Sequence, residues 1–298
     1  NVRRFMAIVR PKIAVFVKYE FWVNYLLAMK RAGTKLYLIS SIFRDGQIFF
    51  RPYGGLFRSA LRAFRHIFVQ NDSSRNLLKS IGIEQVSVAG DTRFDRVYEI
   101  AQQAKRLPEI ERFAADAPVF IAGSTWPPDE ELLVGLIERY PDVKFIVAPH
   151  EIDPARIEKF CERISRPALR YTQLTPQSDL AAAGVLFVDT IGILSSVYRY
   201  GRWGYIGGGF GAGIHNTLEA ATFGLPLAFG PRYGKFREAR DLVTLRGAAS
   251  IASAEELERW FAGLHDDPDA TGRSGTICKE YVLQHKGATA RIMDEICR

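Results

Sequence analysis

Short apolar, β-rich runs alternate with amphipathic stretches along nearly the whole chain, and that alternation leaves few folds open. Ile13–Val17 (IAVFV), 35–39 (KLYLI), His66–Val69 (HIFV) and 86–89 (VSVA) read as buried strands. Between them, 22–32 and 73–81 carry helical patterns, the second closed by Gly82 as a C-cap. Such alternation predicts parallel sheets covered by helices. The pattern lapses over 96–117, a polar stretch with Pro108 inside and Pro118 just after, and then restarts. The second set of strands is 119–122, 144–148, 185–188, Trp203–Ile206 and 226–229. Its helices are 129–140, 154–164, 215–223, 254–264 and 274–297.

A single core rarely grows past roughly 250–300 residues, so 298 residues predict two domains. The expected division is 1–95, a linker over 96–117, and 118–298, with the last helix packing back on the first domain. The fold class expected is α/β with two Rossmann-like domains, of which the second is a complete doubly wound unit and the first is incomplete. The chain starts without Met, and Val2 to Met6 reads as the end of a helix, so an N-terminal truncation is also expected.

Charge is unevenly spread. Residues 1–100 hold 17 Lys and Arg against 7 Asp and Glu, and the remainder holds 23 against 26. The excess positive charge therefore sits in the first third, which suits nucleic acid, a phosphorylated substrate or an anionic membrane face, or else is a solvated basic surface. Cys161, Cys278 and Cys297 are widely spaced without a CxxC, which argues against a disulfide framework or zinc site. No metal-ligand cluster is visible, and no metal is expected. No apolar run reaches the ~18 residues of a membrane span, and no signal peptide is visible.

The strongest local feature is Gly207-Gly208-Gly209-Phe210-Gly211-Ala212-Gly213-Ile214-His215-Asn216-Thr217-Leu218-Glu219, which follows a strand and opens a helix. Glycines let a backbone approach a ligand, and the free N–H groups of a helix start attract an anion. Asn216 can cap the helix, with Glu219 three residues on as in a capping box. The plainer reading is a tight turn and a cap, but five glycines in seven residues exceed what one turn needs. A dinucleotide fingerprint belongs after the first strand of its domain, so this late position favours a nucleotide-sugar donor over NAD.

Other strand ends carry candidates. Ala122-Gly123-Ser124-Thr125-Trp126 leads through Pro127 and Pro128 into an acidic helix start, and Ala148-Pro149-His150-Glu151 closes the next strand. Ligands of open α/β sheets bind at strand C-termini, although an ordinary N-cap and a surface histidine explain the same residues. In the first half Glu20 sits at a strand end in Tyr19-Glu20-Phe21-Trp22, either functional or compensating a helix dipole. Arg93 in Gly90-Asp91-Thr92-Arg93-Phe94-Asp95 is placed to meet a carboxylate or phosphate in an interdomain cleft, or to pair with Asp91 or Asp95. Arg44, Arg51, Arg58, Arg62 and Arg65 crowd with Phe49, Phe50, Tyr53, Phe57 and Phe64, and Arg58, Arg62 and Arg65 are spaced for one helical face. This suits an amphipathic surface on anionic lipid, or a solvated face over a core stripe.

In this order the pieces resemble the bacterial 3-deoxy-manno-octulosonic acid (Kdo) transferases, of the two-domain GT-B type. The family's glutamate motif ending in Trp-Pro-Asn is similar to 19–24, with Val23 in place of Pro, and its Asn-x-Arg to 42–44. Its Gly-Asn-x-Lys-Phe-Asp is similar to 90–95 with Arg93 for Lys, and Ala-Gly-Ser-Thr matches 122–125. Pro-Arg-His resembles 149–151, Gly-Glu-Leu after Asp-Thr resembles 192–194, and Gly-Gly-His-Asn-x-Leu-Glu matches 213–219 with Ile214 for the second Gly.

The resemblance implies transfer of Kdo from CMP-Kdo to a lipid A precursor, at the cytoplasmic face of the inner membrane, in lipopolysaccharide synthesis. No cofactor is implied beyond the CMP-Kdo donor, and no nucleic acid. Donor contacts would fall on Pro149, His150, Gly192, Ile193, Leu194, Asn216, Thr217, Leu218 and Glu219, with Ser124, Thr125, Gly213 and His215 beside them. Glu20 and Arg93 would be the charged transition-state stabilisers. The family's general base lies in a glycine-rich segment that these residues do not include, so this chain alone is expected to bind donor and transfer slowly. The alternatives are another GT-B transferase, a UDP-sugar epimerase, or a truncated relative that holds nucleotide without transferring sugar.

Overall fold

The computed structural model describes residues 1–297. Two compact units are present: 1–96 with the described residues from 285 onward, and 97–284.

The first unit opens with α1 (Val2–Val9), β1 (Ile13–Val17), α2 (Val23–Arg31) and β2 (Lys35–Ser41). It continues through α3 (Gly55–Leu61), β3 (His66–Val69), α4 (Asp72–Ser80), β4 (Val86–Val88) and the start of α5 (Thr92–Gln102). The sheet is parallel in the order β1-β2-β3-β4. Burial follows position in it. β2 is buried on both faces at Leu36, Tyr37 and Leu38, whereas Ile13, Val15 and Val17 of the edge strand β1 are exposed. Continuous apolar runs mark central parallel strands because helices cover both of their faces.

The second unit adds α6 (Pro108–Ala114), β5 (Val119–Thr125), α7 (Pro127–Arg139), β6 (Lys144–Pro149), α8 (Pro154–Cys161), β7 (Ala168–Arg170) and β8 (Val185–Phe187). Then come α9 (Leu194–Val197), β9 (Trp203–Ile206), α10 (Thr217–Thr222), β10 (Leu227–Phe229), α11 (Arg237–Thr244), β11 (Ala248–Ser250), α12 (Ala254–His265) and α13 (Pro268–His285). Its seven parallel strands run β11-β10-β9-β5-β6-β8-β7. Phe120, Phe145, Phe187, Trp203, Tyr205 and Phe261 fill the core, all nearly or wholly buried. Trp203 satisfies its indole by donating Nε1–H to Thr271 Oγ1 at 3.1 Å, so a large ring is buried without an orphaned donor.

The helical pattern over 274–297 is broken. Gly287 takes φ 99° and separates α13 from α14 (Ala288–Ile296). α14 belongs to the first unit, where Ile292 joins Tyr37, Phe68 and Ala89 and Arg291 donates to the Ala89 carbonyl at 2.7 Å. Residues 96–117 hold the end of α5 and all of α6, whose first turn uses Pro108 where an amide is not required. Among the described residues no helix is long and apolar enough to cross a membrane.

Candidate functional site

The chain builds β5, β6, β8 and β7 toward one edge of the second sheet, then returns to lay β9, β10 and β11 on the other side of β5. The strand order thus reverses between β5 and β9, and the glycine-rich loop leaves β9 at that point. Ligands of open α/β sheets bind beyond the strand C-termini at such a reversal.

Packing at the reversal is backbone against backbone. A Cβ on Gly207 would lie 2.1 Å from the Ser124 carbonyl oxygen, and one on Gly209 would lie 2.5 Å from Gly230 Cα. Gly208 and Gly213 have φ of 91° and 142°, which L side chains avoid. Four of the five glycines are therefore required by the loop's own structure. Gly211 is exposed, with nothing nearer to its would-be Cβ than 3.6 Å. Ser124 holds φ 55° at the end of β5, a strained conformation for a residue with a side chain.

Asp129 pins this arrangement. Its carboxylate is 1% exposed and accepts from the Tyr205 hydroxyl at 2.7 Å, the Trp126 amide at 2.9 Å and the Gly208 amide at 2.9 Å. Tyr205 is held fully protonated, its pKa pushed far up by burial and by the Asp129 charge. Glu130 beside it accepts from the Thr125 hydroxyl at 3.0 Å and faces Arg156 at 3.5 Å. Burial raises its pKa above the usual carboxylate range, against the pull of Arg156.

Three rings close the site. Trp126 stacks on His150 with centroids 4.9 Å apart, and His150 stacks on His215 at 4.2 Å. Trp126 Nε1–H donates to His215 Nε2 at 3.0 Å. Burial, then the neighbouring His150, lowers the His215 pKa, with Asp129 opposing. Trp126, Pro128, Asp129, Phe210, Ala212 and His215 line a pocket of about 440 Å³ with three of the loop's glycines, Gly208, Gly211 and Gly213.

The expected donor residues converge here to different degrees. Asn216 caps α10, its Oδ1 accepting from the Leu218 amide at 3.2 Å, and its Nδ2 donates to Glu219 at 2.9 Å. The pairing is thus side chain to side chain rather than a reciprocal capping box. A Cβ on Gly123 would meet the Tyr198 hydroxyl at 2.0 Å and Leu194 at 3.3 Å, and the Glu219 charge acts on Tyr198. The start of α9 therefore packs on the end of β5, with Glu219 at the start of α10 within electrostatic reach. Gly192 is exposed with φ 87°, and Ile193 and Leu194 are half-buried. Thr125, Pro149, Thr217 and Leu218 are buried, so they can offer a ligand little side-chain surface. The buried Thr217 hydroxyl has no hydrogen-bond partner.

In the first unit Glu20 is exposed just beyond β1. Asp91, 3% exposed, gathers that sheet's polar ends: it accepts from the Arg93 amide and Nε at 2.9 Å each and from Gln70 at 2.9 Å, with Lys18 Nζ 3.8 Å away. Arg93 is thus paired with Asp91, the plainer of its two sequence readings. The arginine cluster is corrected in part. α3 ends at Leu61, so Arg62 caps it and Arg65 lies beyond it, and the three do not share one helical face. Arg58 donates to the carbonyls of Phe49, Arg51 and Pro52, and Arg62 to that of Ile81. Arg44, Arg51 and Arg65 remain exposed, with Tyr53 and Leu56. Tyr19, Phe21, Arg44, Ile48, Phe49 and Phe57 line an open pocket of about 430 Å³ with Gln47. Among the described residues no group of three or more His, Cys, Asp or Glu could hold a metal ion.

Trp126 and Phe210 lie within motifs visible in the sequence but carry no signal of their own there, and Tyr205 carries none. Only the acidic start after Pro127-Pro128 signalled Asp129, and it signalled a helix N-terminus.

Two Rossmann-like units, with a glycine loop at the switch point of the second, define the GT-B fold class. Solved structures agree. The putative UDP-N-acetylglucosamine 2-epimerase from Listeria monocytogenes matches 99% of this chain and 77% of its own, with TM-score 0.65 and 13% identity. The C-terminal CMP-Kdo binding domain of WaaA from Acinetobacter baumannii matches 64% of this chain and 99% of its own, with TM-score 0.52 and 22% identity. A model of the 3-deoxy-D-manno-octulosonic-acid transferase family matches residues 1–96. The 3-deoxy-D-manno-octulosonic acid transferase of Bordetella pertussis is 25% identical over 99% of this chain and 71% of its own length. That of Rickettsia bellii is 24% identical over 96% and 69%. The chain is thus similar to Kdo transferases along nearly its whole length, and its first 96 residues match their family model.

Proposed function

We propose that the chain binds CMP-Kdo in its second unit and serves Kdo transfer to a lipid A precursor in lipopolysaccharide synthesis. The observation that carries this is the meeting of 123–126, His150, Leu194 and 213–219 at the sheet's reversal point. CMP would leave with its phosphate against the glycine loop, where preorganised donors meet the charge that develops. Glu20 and Arg93 are the proposed charged stabilisers, Arg93 held in place by Asp91. Asn216→Ala and Glu219→Ala are each expected to weaken CMP about tenfold, the effect of losing ~1.4 kcal/mol of polar contact. Calorimetric titration with CMP checks this, and unchanged affinity in both variants removes the 213–219 segment from the site.

We further propose that the first unit works on an anionic membrane surface, at the cytoplasmic face of the inner membrane. The support is the exposed set Arg44, Arg51, Arg65, Tyr53 and Leu56. Binding to anionic vesicles should fall with salt, because the Debye length shrinks from about 10 Å at 0.1 M to about 3 Å at 1 M. Equal partition onto neutral and anionic vesicles at low salt would sink the idea.

A further inference from the structure

His215 has a chemical choice that no sequence pattern decides. A neutral imidazole carries its single proton on Nδ1 or on Nε2, and only the protonated nitrogen donates. The partners of the ring make that choice. An indole N–H can only donate, so Trp126 Nε1 at 3.0 Å requires His215 Nε2 to accept. The proton is then on Nδ1. Two further facts restrict the ring. Its Cδ2–Nε2 edge lies against Gly208, whose would-be Cβ is 3.0 Å from Cδ2 and 3.2 Å from Nε2. One of its faces is covered by His150 at 4.2 Å. The Nδ1 edge is the one turned away from Gly208, on a half-buried residue immediately before Asn216. Protonating both nitrogens would break the indole bond and set a cation against His150, and burial already disfavours the charge.

The geometry points to Trp126 as a positioning residue: it fixes His215 as the neutral Nδ1–H tautomer, so that Nδ1–H donates to a phosphate oxygen of the donor nucleotide. This rests on the reading of the 213–219 segment as the nucleotide site. It assigns work to two residues whose individual roles the family likeness leaves open. Trp126 acts through His215, and His215 is the group that touches ligand. The recognised chemistry is a phosphate monoester or diester oxygen accepting one neutral hydrogen bond, with no charge transferred.

The tautomer is read without ligand, from nitrogen–proton correlation spectra of imidazole-¹⁵N-labelled protein at pH 7.5. The wild type is expected to show His215 protonated on Nδ1, and Trp126→Phe, which keeps a stacking ring but no donor, to lose that single-tautomer signature. A wild-type His215 protonated on Nε2 overturns the proposal. Calorimetry with CMP gives the second arm. His215→Asn places an amide N–H near the Nδ1 position and should hold CMP within about twofold of wild type. His215→Gln reaches toward the Nε2 position instead and should weaken CMP about tenfold, as should Trp126→Phe. In the His215→Asn background the further change Trp126→Phe should cost nothing, because there is no tautomer left to set. Equal affinities for the Asn and Gln variants overturn the proposal even if Trp126→Phe binds weakly, since the position of the donated N–H would then not matter. The two readings fail separately. Protein with the Nδ1–H tautomer that binds no CMP overturns the nucleotide site and the phosphate role with it. Protein that binds CMP with the Nε2–H tautomer overturns this inference alone.

Discussion

Asp129→Ala is expected to lower the stability of the second unit by roughly 3–5 kcal/mol, and to loosen the glycine loop with it. The carboxylate is 1% exposed and has three donors: the Tyr205 hydroxyl, the Trp126 amide and the Gly208 amide. Truncation leaves all three pointing into a space without an acceptor, and each unsatisfied buried group costs about 1–3 kcal/mol. Water entering the vacated space would offset part of this, which keeps the total below the sum of the parts. Against a domain stability of about 5–15 kcal/mol, the loss is a large fraction. Asp129→Asn should cost less than Ala, since one oxygen still accepts, yet its amide must face a donor. Urea unfolding of the three proteins checks the order. A loss below about 1 kcal/mol for Ala would mean that the three bonds do not hold the loop.

That carboxylate also shows where sequence reading stops. Pro127-Pro128-Asp129-Glu130 reads as a helix start because its local chemistry is that of a helix start, and α7 does begin there. What makes Asp129 part of the site is Tyr205 and Gly208, 76 and 79 residues away, and no local pattern encodes a partner at that distance. The strands were legible where burial on both faces made their apolar runs continuous, as in β2, β5 and β6. β7 and β11, three residues each at the two edges of the second sheet, carry too little pattern to stand out. Spacing alone put Arg58, Arg62 and Arg65 on one helical face, but α3 stops at Leu61. Two of the three guanidinium groups then go to carbonyls that a sequence cannot show to be in need of a donor. The 207–219 block was visible as a loop at a strand end because glycine density survives without an alignment. Which of its residues face a ligand depends on how β5, β9 and β10 abut.

The five glycines of that block look equivalent in sequence and should respond unequally to alanine. Gly207→Ala is expected to cost about 3 kcal/mol or more, at the upper end of what overpacking does. Its Cβ would sit 2.1 Å from the Ser124 carbonyl oxygen and 2.7 Å from Thr125 Cα, both backbone atoms of a central strand that cannot swing aside as a side chain would. Relief requires parting the ends of β5 and β9, whose register pairs Gly123 with Ile206 one residue before the clash. Gly209→Ala faces a similar wall, with Gly230 Cα and N both at 2.5 Å. Gly211→Ala meets nothing nearer than 3.6 Å and no positive φ, so stability should hold or rise slightly as the unfolded chain loses freedom. Thermal melts of the three variants separate them: two strongly lowered midpoints and one unchanged. The same variants then separate packing from ligand approach. If Gly211→Ala keeps the fold but weakens CMP, a ligand comes within a methyl group of the loop there. If it keeps both, no ligand atom comes that close and the tip of the loop is only a turn. A Gly207→Ala protein as stable as wild type would show that β5 and β9 part easily, and with that the switch point loses the rigidity on which the whole site depends.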